Sequence, residues 1–574
     1  MRILRPYFLK YKKRWLAGLL AVALTDIFML AGPWILKDAV DAMEKNTTAR
    51  ELAAYAAAII GVTLISALFR FIMRQTMIVA SRRIEYDFRN DFFSHLLTLD
   101  RKYFDKTPTG DIMARATNDL DSVRSMIGPG IMYFCSTAVT LLLALSLMIK
   151  IDPALTLYAI TPMPIITILV FWLGREINKR STKILEQYSA ITARTQENFS
   201  GIRVVKAYVQ EAAETGDFSL LNIEYIKRNM SMFRVWGIFS PAIALFSGMA
   251  AIMVLWFGGR SVVDGSITLG DFVAFTAYLL HLIWPMAALG WVVGLYQRGR
   301  ASLARIEEIL RAGPEVINRT NPISREIKGK IEFRNLRFSH DSKEILRSIN
   351  AVIEPGMQAA VIGATGSGKS TLLSLLLRTY PVERGMIFID DIDINDYELH
   401  SLRTQIVPVM QETFLFSETI RSNIAYGNYD QSSGSVAKFA AAAGMAGEIE
   451  EFPDKFDTLL GERGITLSGG QKQRTALARA LSADPRVLLL DDAFSSVDTR
   501  TEEKILANLR QVLKGKTVIA ISHRISTVKG ADIILVISDG LIVERGTHER
   551  LLGTGGHYAG LYKKQLIESE LERL

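Results

Sequence analysis

The chain of 574 residues has one cysteine, Cys135, so no disulfide can form within it. Charge is scarce too, over long distances: up to about Gln297, acidic and basic residues are rare inside extended apolar runs. Runs of that length exclude an ordinary soluble fold for this half, because a bilayer-crossing helix takes about 20 apolar residues and a core helix takes fewer. No cleavable signal peptide is expected either. The first residues are basic, but the apolar run behind them is long and carries no clear small-residue cleavage site. The net charge of +8 fits either nucleic acid or an anionic membrane surface. Lys and Arg cluster beside the apolar runs, which favours membrane orientation and no nucleic-acid partner.

What is present divides into two unlike halves, too long together for one compact core. Six stretches have the length and apolarity of spans: Trp15–Leu36, Leu52–Ile78, Gly128–Ile149, Ala154–Leu173, Val235–Gly258 and Phe272–Tyr296. An even number of spans puts both ends on one side. The two long connections between spans are rich in Lys and Arg, among them Arg82, Arg83, Lys179, Arg180, Lys227 and Arg228. The short ones, around Glu44–Glu51, Lys150–Pro153 and Gly259–Asp271, hold only Lys45, Arg50, Lys150 and Arg260. That bias places the long connections, and both termini, in the cytoplasm. Residues 1–14 are aromatic and basic and read as an interfacial helix on the cytoplasmic leaflet. A membrane domain then covers residues 15–310, a linker 311–330, and a second domain 331–574.

The long connections are polar with helical periodicity, so the spans are expected to continue as helices into the cytoplasm and to reverse far from the bilayer. Gly110–Thr117 and Gly201–Tyr208 are the expected reversals, each opening at a glycine. They serve either as docking helices that transmit motion or as plain hairpin tips. Within the spans, Asp26 and Arg70 lie at comparable depth at 1.5 Å per residue, so they can pair or line a pathway. His281, Trp284 and Trp291 of the last span face either a substrate cavity or ordinary packing.

The second domain carries the chemistry. Ala359–Leu377 reads as an apolar strand, a glycine-rich loop and a helix. Gly363, Ala364, Thr365, Gly366, Ser367, Gly368, Lys369, Ser370 and Thr371 match the P-loop pattern. Glycines let backbone N–H groups curl around phosphate oxygens, and the helix N-terminus adds a favourable dipole. Lys369 neutralises phosphate charge and Ser370 can ligate Mg²⁺. Arg486–Asp492 reads as a buried parallel strand ending in the carboxylates of Asp491 and Asp492. In such a sheet, a carboxylate at that end lies beside the P-loop, so Asp491 is the Mg²⁺-organising acid. A second strand, Thr517–His523, ends in His523 at the same edge, a candidate γ-phosphate contact. The fold class is therefore an all-α membrane domain followed by an α/β P-loop domain.

Between these lies Leu467-Ser468-Gly469-Gly470-Gln471. P-loop, then this LSGGQ sequence, acidic strand and histidine resemble the ATPase domains of ABC transporters. With six spans ahead, nearly the whole chain resembles the ABC exporter half-transporters of type I fold, especially the bacterial multidrug-resistance-like subunits. The resemblance implies ATP and Mg²⁺ as cofactors. It implies that Gln411 senses Mg²⁺, that Ser468, Gly469, Gly470 and Gln471 contact ATP bound to the opposite subunit, and that Asp498 crosses the dimer interface. It also implies that Gly461–Gly464 touches the docking helices. Two positions depart from the pattern. Asp492 stands where the family has a catalytic Glu; its carboxylate falls short by about 1 Å, a misplacement that can cost about 10²-fold in rate. His340 stands where the family stacks a Tyr on adenine.

The resemblance implies ATP-driven export of a small amphipathic or hydrophobic compound, drug or lipid, across the bacterial cytoplasmic membrane. Membrane lipids and a second half-transporter are the expected partners, with a heterodimer favoured because Asp492 makes this chain's own site slow. A lipid or peptide exporter and an ATP-gated regulatory or channel-like protein are the alternatives.

Overall fold

Polar side chains at the ends of the apolar stretches decide where the long helices begin. In this computed structural model, which describes residues 2–45, 47–340, 343–428 and 433–571, contacts divide the chain into two units. Met1 and residues 572–574, at the edges of the expected domains, lie outside the described residues.

The first unit, 1–98 with 108–312, is helical. A short helix, Arg5–Lys10, turns at Tyr11 into Lys12–Met43. It is fastened by Tyr7 to Asp91 (2.5 Å) and by Lys10 (2.7 Å) and Tyr11 (2.9 Å) to Asp87 on the next helix. Reciprocal capping boxes start Ala49–Leu96 (Thr48 with Glu51) and Leu269–Arg311 (Thr268 with Asp271). Each satisfies backbone N–H groups that the first helical turn leaves without partners. Among the described residues, five helical stretches are long and apolar enough to cross a membrane: Lys12–Met43, Ala49–Leu96, Thr109–Ile151, Glu211–Val263 and Leu269–Arg311.

The expected span at Ala154–Leu173 is not one helix. Asp152 caps Pro153–Ile160, the chain turns at Thr161 and Pro162, and a second helix runs Met163–Ser200. Pro162 and Pro164 lack the N–H groups that would continue the hydrogen-bond ladder across this point. The second helix turns charged at Arg175, so neither piece alone has a span's length of apolar residues.

The second unit comprises 99–107 and 313–574. Its strands are β1 (Ile331–His340), β2 (Lys343–Ile353), β3 (Gln358–Gly363), β4 (Ile387–Ile389), β5 (Ile392–Asp393), β6 (Ile406–Val409), β7 (Val487–Asp491), β8 (Thr517–Ile521), β9 (Ile533–Ser538) and β10 (Leu541–Gly546). They form two sheets, ordered β2-β1-β4-β5 and β10-β9-β3-β8-β7-β6. The first is antiparallel. In the second, β6, β7, β8, β3 and β9 pair in parallel. All five residues of β7 are buried, as a central strand covered on both faces requires. Val361 and Asp491 both lie opposite Ile521, so β3, β7 and β8 end at one edge.

The segment 99–107, which lies between the second and third spans in sequence, belongs to this unit by its contacts. Its helix, Arg101–Lys106, is the first reversal, earlier than the expected Gly110–Thr117. Asp105 accepts from the Tyr380 hydroxyl (2.8 Å), Lys102 pairs with Glu315 (2.7 Å), and Asp100 accepts from the Val316 N–H (3.1 Å). Gly110 instead sits inside the returning helix, Thr109–Ala114. The second reversal is the short helix Ile202–Ala207, directly after Gly201.

Candidate ATP-binding site

Positive φ at Gly366 (81°) and Gly368 (98°) bends the loop after β3 back over the start of the helix Lys369–Leu376. A Cβ at either position would strain the backbone. Lys369 is drawn across the loop, its Nζ donating to the carbonyls of Gly363 (2.9 Å) and Ala364 (2.8 Å). Burial lowers its ammonium from the ordinary value, against the opposing pull of Asp491 and Asp492. Asp491, 4% exposed, accepts a hydrogen bond from Ser370 at 3.0 Å. Burial raises its carboxyl, Ser370 opposes that rise, and the neighbouring charge of Asp492 adds to it. A half-buried ammonium and a buried carboxylate, each disfavoured by its surroundings, stand ready for an anion and a cation respectively.

Asp492 adopts φ of 49°, rare outside glycine, while its N–H donates to Ile521 (2.9 Å). Its Oδ1 lies 2.9 Å from His523 Nδ1. That contact leaves the ring's Nε2 for a phosphate oxygen. One cavity of about 830 Å³ is lined by Gly363, Ala364, Thr365, Gly366, Ser367, Gly368, Lys369, Ser370 and Thr371 together with Gln411, Asp491, Asp492 and His523. Lys343 and Arg347 of β2 line it too, two cations that lie outside any motif read in the sequence.

Other expected contacts stand elsewhere. Ser468 caps the helix Gly469–Ser482, and Gln471 closes the capping box, with side-chain-to-backbone bonds of 2.9 and 3.3 Å. The Gln471 amide also donates to Glu448 (2.8 Å), so in this chain it fixes the signature turn. Asp498 caps Thr499–Val512 through the Thr501 N–H (2.9 Å), and that bond holds its carboxyl below the usual range. His340 packs edge-on against Tyr380, with ring centroids 5.8 Å apart, and does not line the phosphate cavity.

Gln473 and Arg524 join these parts, and neither stood out in the sequence. Gln473 donates to Ser495 (2.7 Å) and accepts from the Ser496 N–H (2.9 Å). Arg524, next to His523, donates to the carbonyls of Ser495 (2.9 Å) and Val497 (2.7 Å). The helix Gly469–Ser482, the loop at 495–498 and Arg524 are thus hydrogen-bonded together.

Residues 15–286 match the family described as the ABC transporter transmembrane region, and residues 346–495 match the family described as ABC transporter. The chain is 35% identical, over 97% of its length and 96% of the relative's, to the probable multidrug resistance ABC transporter ATP-binding/permease protein YheI of Bacillus subtilis. This chain is an ABC transporter, with membrane and ATP-binding parts in one polypeptide. It is also 34% identical to the multidrug resistance-like ATP-binding protein MdlA of Escherichia coli, over 99% of this chain and 96% of that one. Identity to an ATP-dependent lipid A-core flippase of Syntrophus aciditrophicus is 32%, over 100% of this chain and 94% of the flippase. Among solved structures, a bacterial Atm1-family ABC exporter with ATP bound matches with a TM-score of 0.82 and 28% identity, covering 96% of this chain and 99% of that one. The ABC transporter is therefore a membrane-spanning ATPase coupled to transport, with the exporter fold.

Proposed function

We propose that this ABC transporter exports a small amphipathic or hydrophobic compound by alternating access, as one half of a dimer. One observation carries the reading. The glycine-rich cradle, Gln411, Asp491, Asp492 and His523 share a cavity, whereas Ser468 and the glycines behind it lie outside it on another helix start. Both are anion-binding arrangements. A single nucleotide meets both only when two ATP-binding domains pair head to tail. ATP then acts as the contact that closes the pair, and hydrolysis releases it.

The residues fit Mg²⁺, a hard cation that takes oxygen ligands and few carboxylates. Ser370 and Asp491 already bring two oxygens together, and Gln411 lines the same cavity. The ion would neutralise charge developing on the phosphates. Lys369 holds the β- and γ-phosphates, and His523 contacts the γ-phosphate. Asp492 orients water from a carboxylate set back by one methylene and drawn toward His523, so this chain's own site turns over slowly. The intact Ser468-Gly469-Gly470 turn completes a faster site on a partner that carries Glu at the corresponding position, which favours a heterodimer.

The fourth crossing of the membrane is assigned to the two helices that meet at Pro162. With six crossings, both termini and the ATPase domain face the cytoplasm of a bacterial inner membrane.

The test is export by sealed vesicles. Transport is expected to need ATP and to stop when Ser468 and Gly470 are replaced; transport that survives those changes sinks the proposal. Co-purification of a second half-transporter supports the heterodimer, and a fast ATPase formed by this chain alone overturns it.

A further inference from the structure

A second cavity, of about 410 Å³, lies within the helical unit. Its lining comes from four helices distant in sequence: Asp26 from Lys12–Met43, Arg70 and Arg74 from Ala49–Leu96, Ser136 from Ile131–Ile151, and His281 and Trp284 from Leu269–Arg311. Asp26 is only 3% exposed. Its Oδ1 accepts from Ser136 at 3.2 Å, while its Oδ2 has no hydrogen-bond partner, although Thr140 stands close by. The backbone beside it is pinned, since Ser66 donates to the Thr25 carbonyl at 3.0 Å.

Equal depth made an Asp26–Arg70 ion pair the simplest expectation. Among the described residues no such pair forms. Arg70 instead points a guanidinium nitrogen at the Met29 sulfur, 3.6 Å away. A carboxylate and a guanidinium thus line one cavity without a direct salt bridge between them. Charges at membrane depth are costly unless they have partners, so groups left apart mark a ligand position. Met73, Met132, Tyr133 and Trp284 give part of the wall a thioether and aromatic surface suited to hydrocarbon, beside the hydroxyls of Thr25, Thr137 and Thr140.

We infer that this cavity recognises a zwitterionic amphiphile, with its ammonium on Asp26, its anionic group on Arg70 and Arg74, and its chain on the methionine and aromatic wall. The inference rests on the export reading above and names its substrate class. A lone cation would meet two guanidiniums, and a lone anion would meet the unpartnered oxygen of Asp26. One molecule bearing both charges satisfies the whole lining.

The experiment uses the purified full-length transporter, in the dimer it forms, in nanodiscs. Dodecylphosphoethanolamine, dodecylamine and dodecyl phosphate share a chain and carry a zwitterionic, a cationic and an anionic head group respectively. Each is titrated below its micellar concentration, with empty nanodiscs subtracted. The zwitterion is expected to bind tightest. Asp26→Asn should weaken the zwitterion and the amine about ten-fold and spare the phosphate, the scale of one charge-assisted hydrogen bond. Arg70→Gln should weaken the zwitterion and the phosphate and spare the amine. A misfolded variant cannot give that crossed pattern. Equal effects on all three probes, no effect, or a preference for either singly charged probe overturns the inference. Nucleotide-driven closure of the ATP-binding domains is measured in the same nanodiscs. Closure without the crossed pattern removes this inference alone, and loss of closure removes the export reading.

Discussion

Glu502 in the ATP-binding unit and Asp26 in the helical unit are both buried carboxylates, at 0% and 3% exposure, and their surroundings differ. Glu502 accepts from Arg524 (3.1 Å), Ser526 (3.3 Å) and Thr527 (2.5 Å), so both of its oxygens are engaged. Asp26 has Ser136 on one oxygen and no hydrogen bond on the other. A buried charge with every lone pair engaged contributes to the native structure, and removing one partner strands the other. A buried charge left half-engaged costs stability, and its presence needs another reason. In this molecule the first kind supports the catalytic loops and the second faces the cavity for cargo.

The largest expected effect follows from that contrast. Glu502→Ala should destabilise the ATP-binding unit by about 3–5 kcal/mol, because the half-buried Arg524 and the Ser526 and Thr527 hydroxyls would all lose their shared acceptor. Asp26→Asn should cost less than about 1 kcal/mol, since no complete network is broken. Thermal unfolding of the two variants checks both values, and similar losses would break the comparison. Next comes Lys369→Ala, which removes the cation that the P-loop presents to phosphate. Nucleotide affinity at this site should fall by about 2–5 kcal/mol, read by titration with a fluorescent ATP analogue, while Ser468 still completes the partner's site. Asp492→Glu sharpens the comparison within the ATP cavity itself. Turnover by the dimer should rise, by as much as about 10²-fold at this site if carboxylate reach limits it. An unchanged rate in the ATPase assay would mean that the contact between Asp492 and His523, and not the missing methylene, sets the geometry.

The two cavities also differ in how far the sequence reveals them. The ATP cavity draws Gly363 to Thr371 from one continuous stretch, because a cradle of backbone N–H groups demands glycines at fixed spacing. Its acids end an apolar strand, a pattern equally local. The cargo cavity has no such run. Counting residues placed Asp26 and Arg70 at the same depth, but depth carries no information on helix rotation, and the two residues share a cavity without pairing. Apolarity alone also concealed the break at Pro162, since hydropathy sums take no account of missing N–H groups. The first reversal was misplaced for a related reason. Gly110 drew the assignment, whereas Asp100 before Arg101–Lys106 and Pro108 after it are the stronger boundary signals. Gln471 and Asp498 read as nucleotide or interface contacts, and within this chain both serve as helix caps.

The smallest expected effect concerns the segment 99–107, which separates a docking role from a plain hairpin tip. Tyr380 donates to Asp105 at 2.8 Å, and burial together with that carboxylate raises the phenol above its ordinary range. The proton therefore stays on the tyrosine at physiological pH, and the bond is a donated O–H. Tyr380→Phe keeps the ring and removes that bond, at a cost of about 1 kcal/mol. If Arg101–Lys106 transmits closure, ATP hydrolysis should continue nearly unchanged while its response to cargo weakens several-fold, measured as stimulated against basal ATPase. If the segment is only a hairpin tip, the same substitution should leave both rates and their ratio alone. Lys102, paired with Glu315, supplies an independent check. Lys102→Ala should loosen the response in the same direction and by less, because an exposed ion pair contributes less than about 1 kcal/mol.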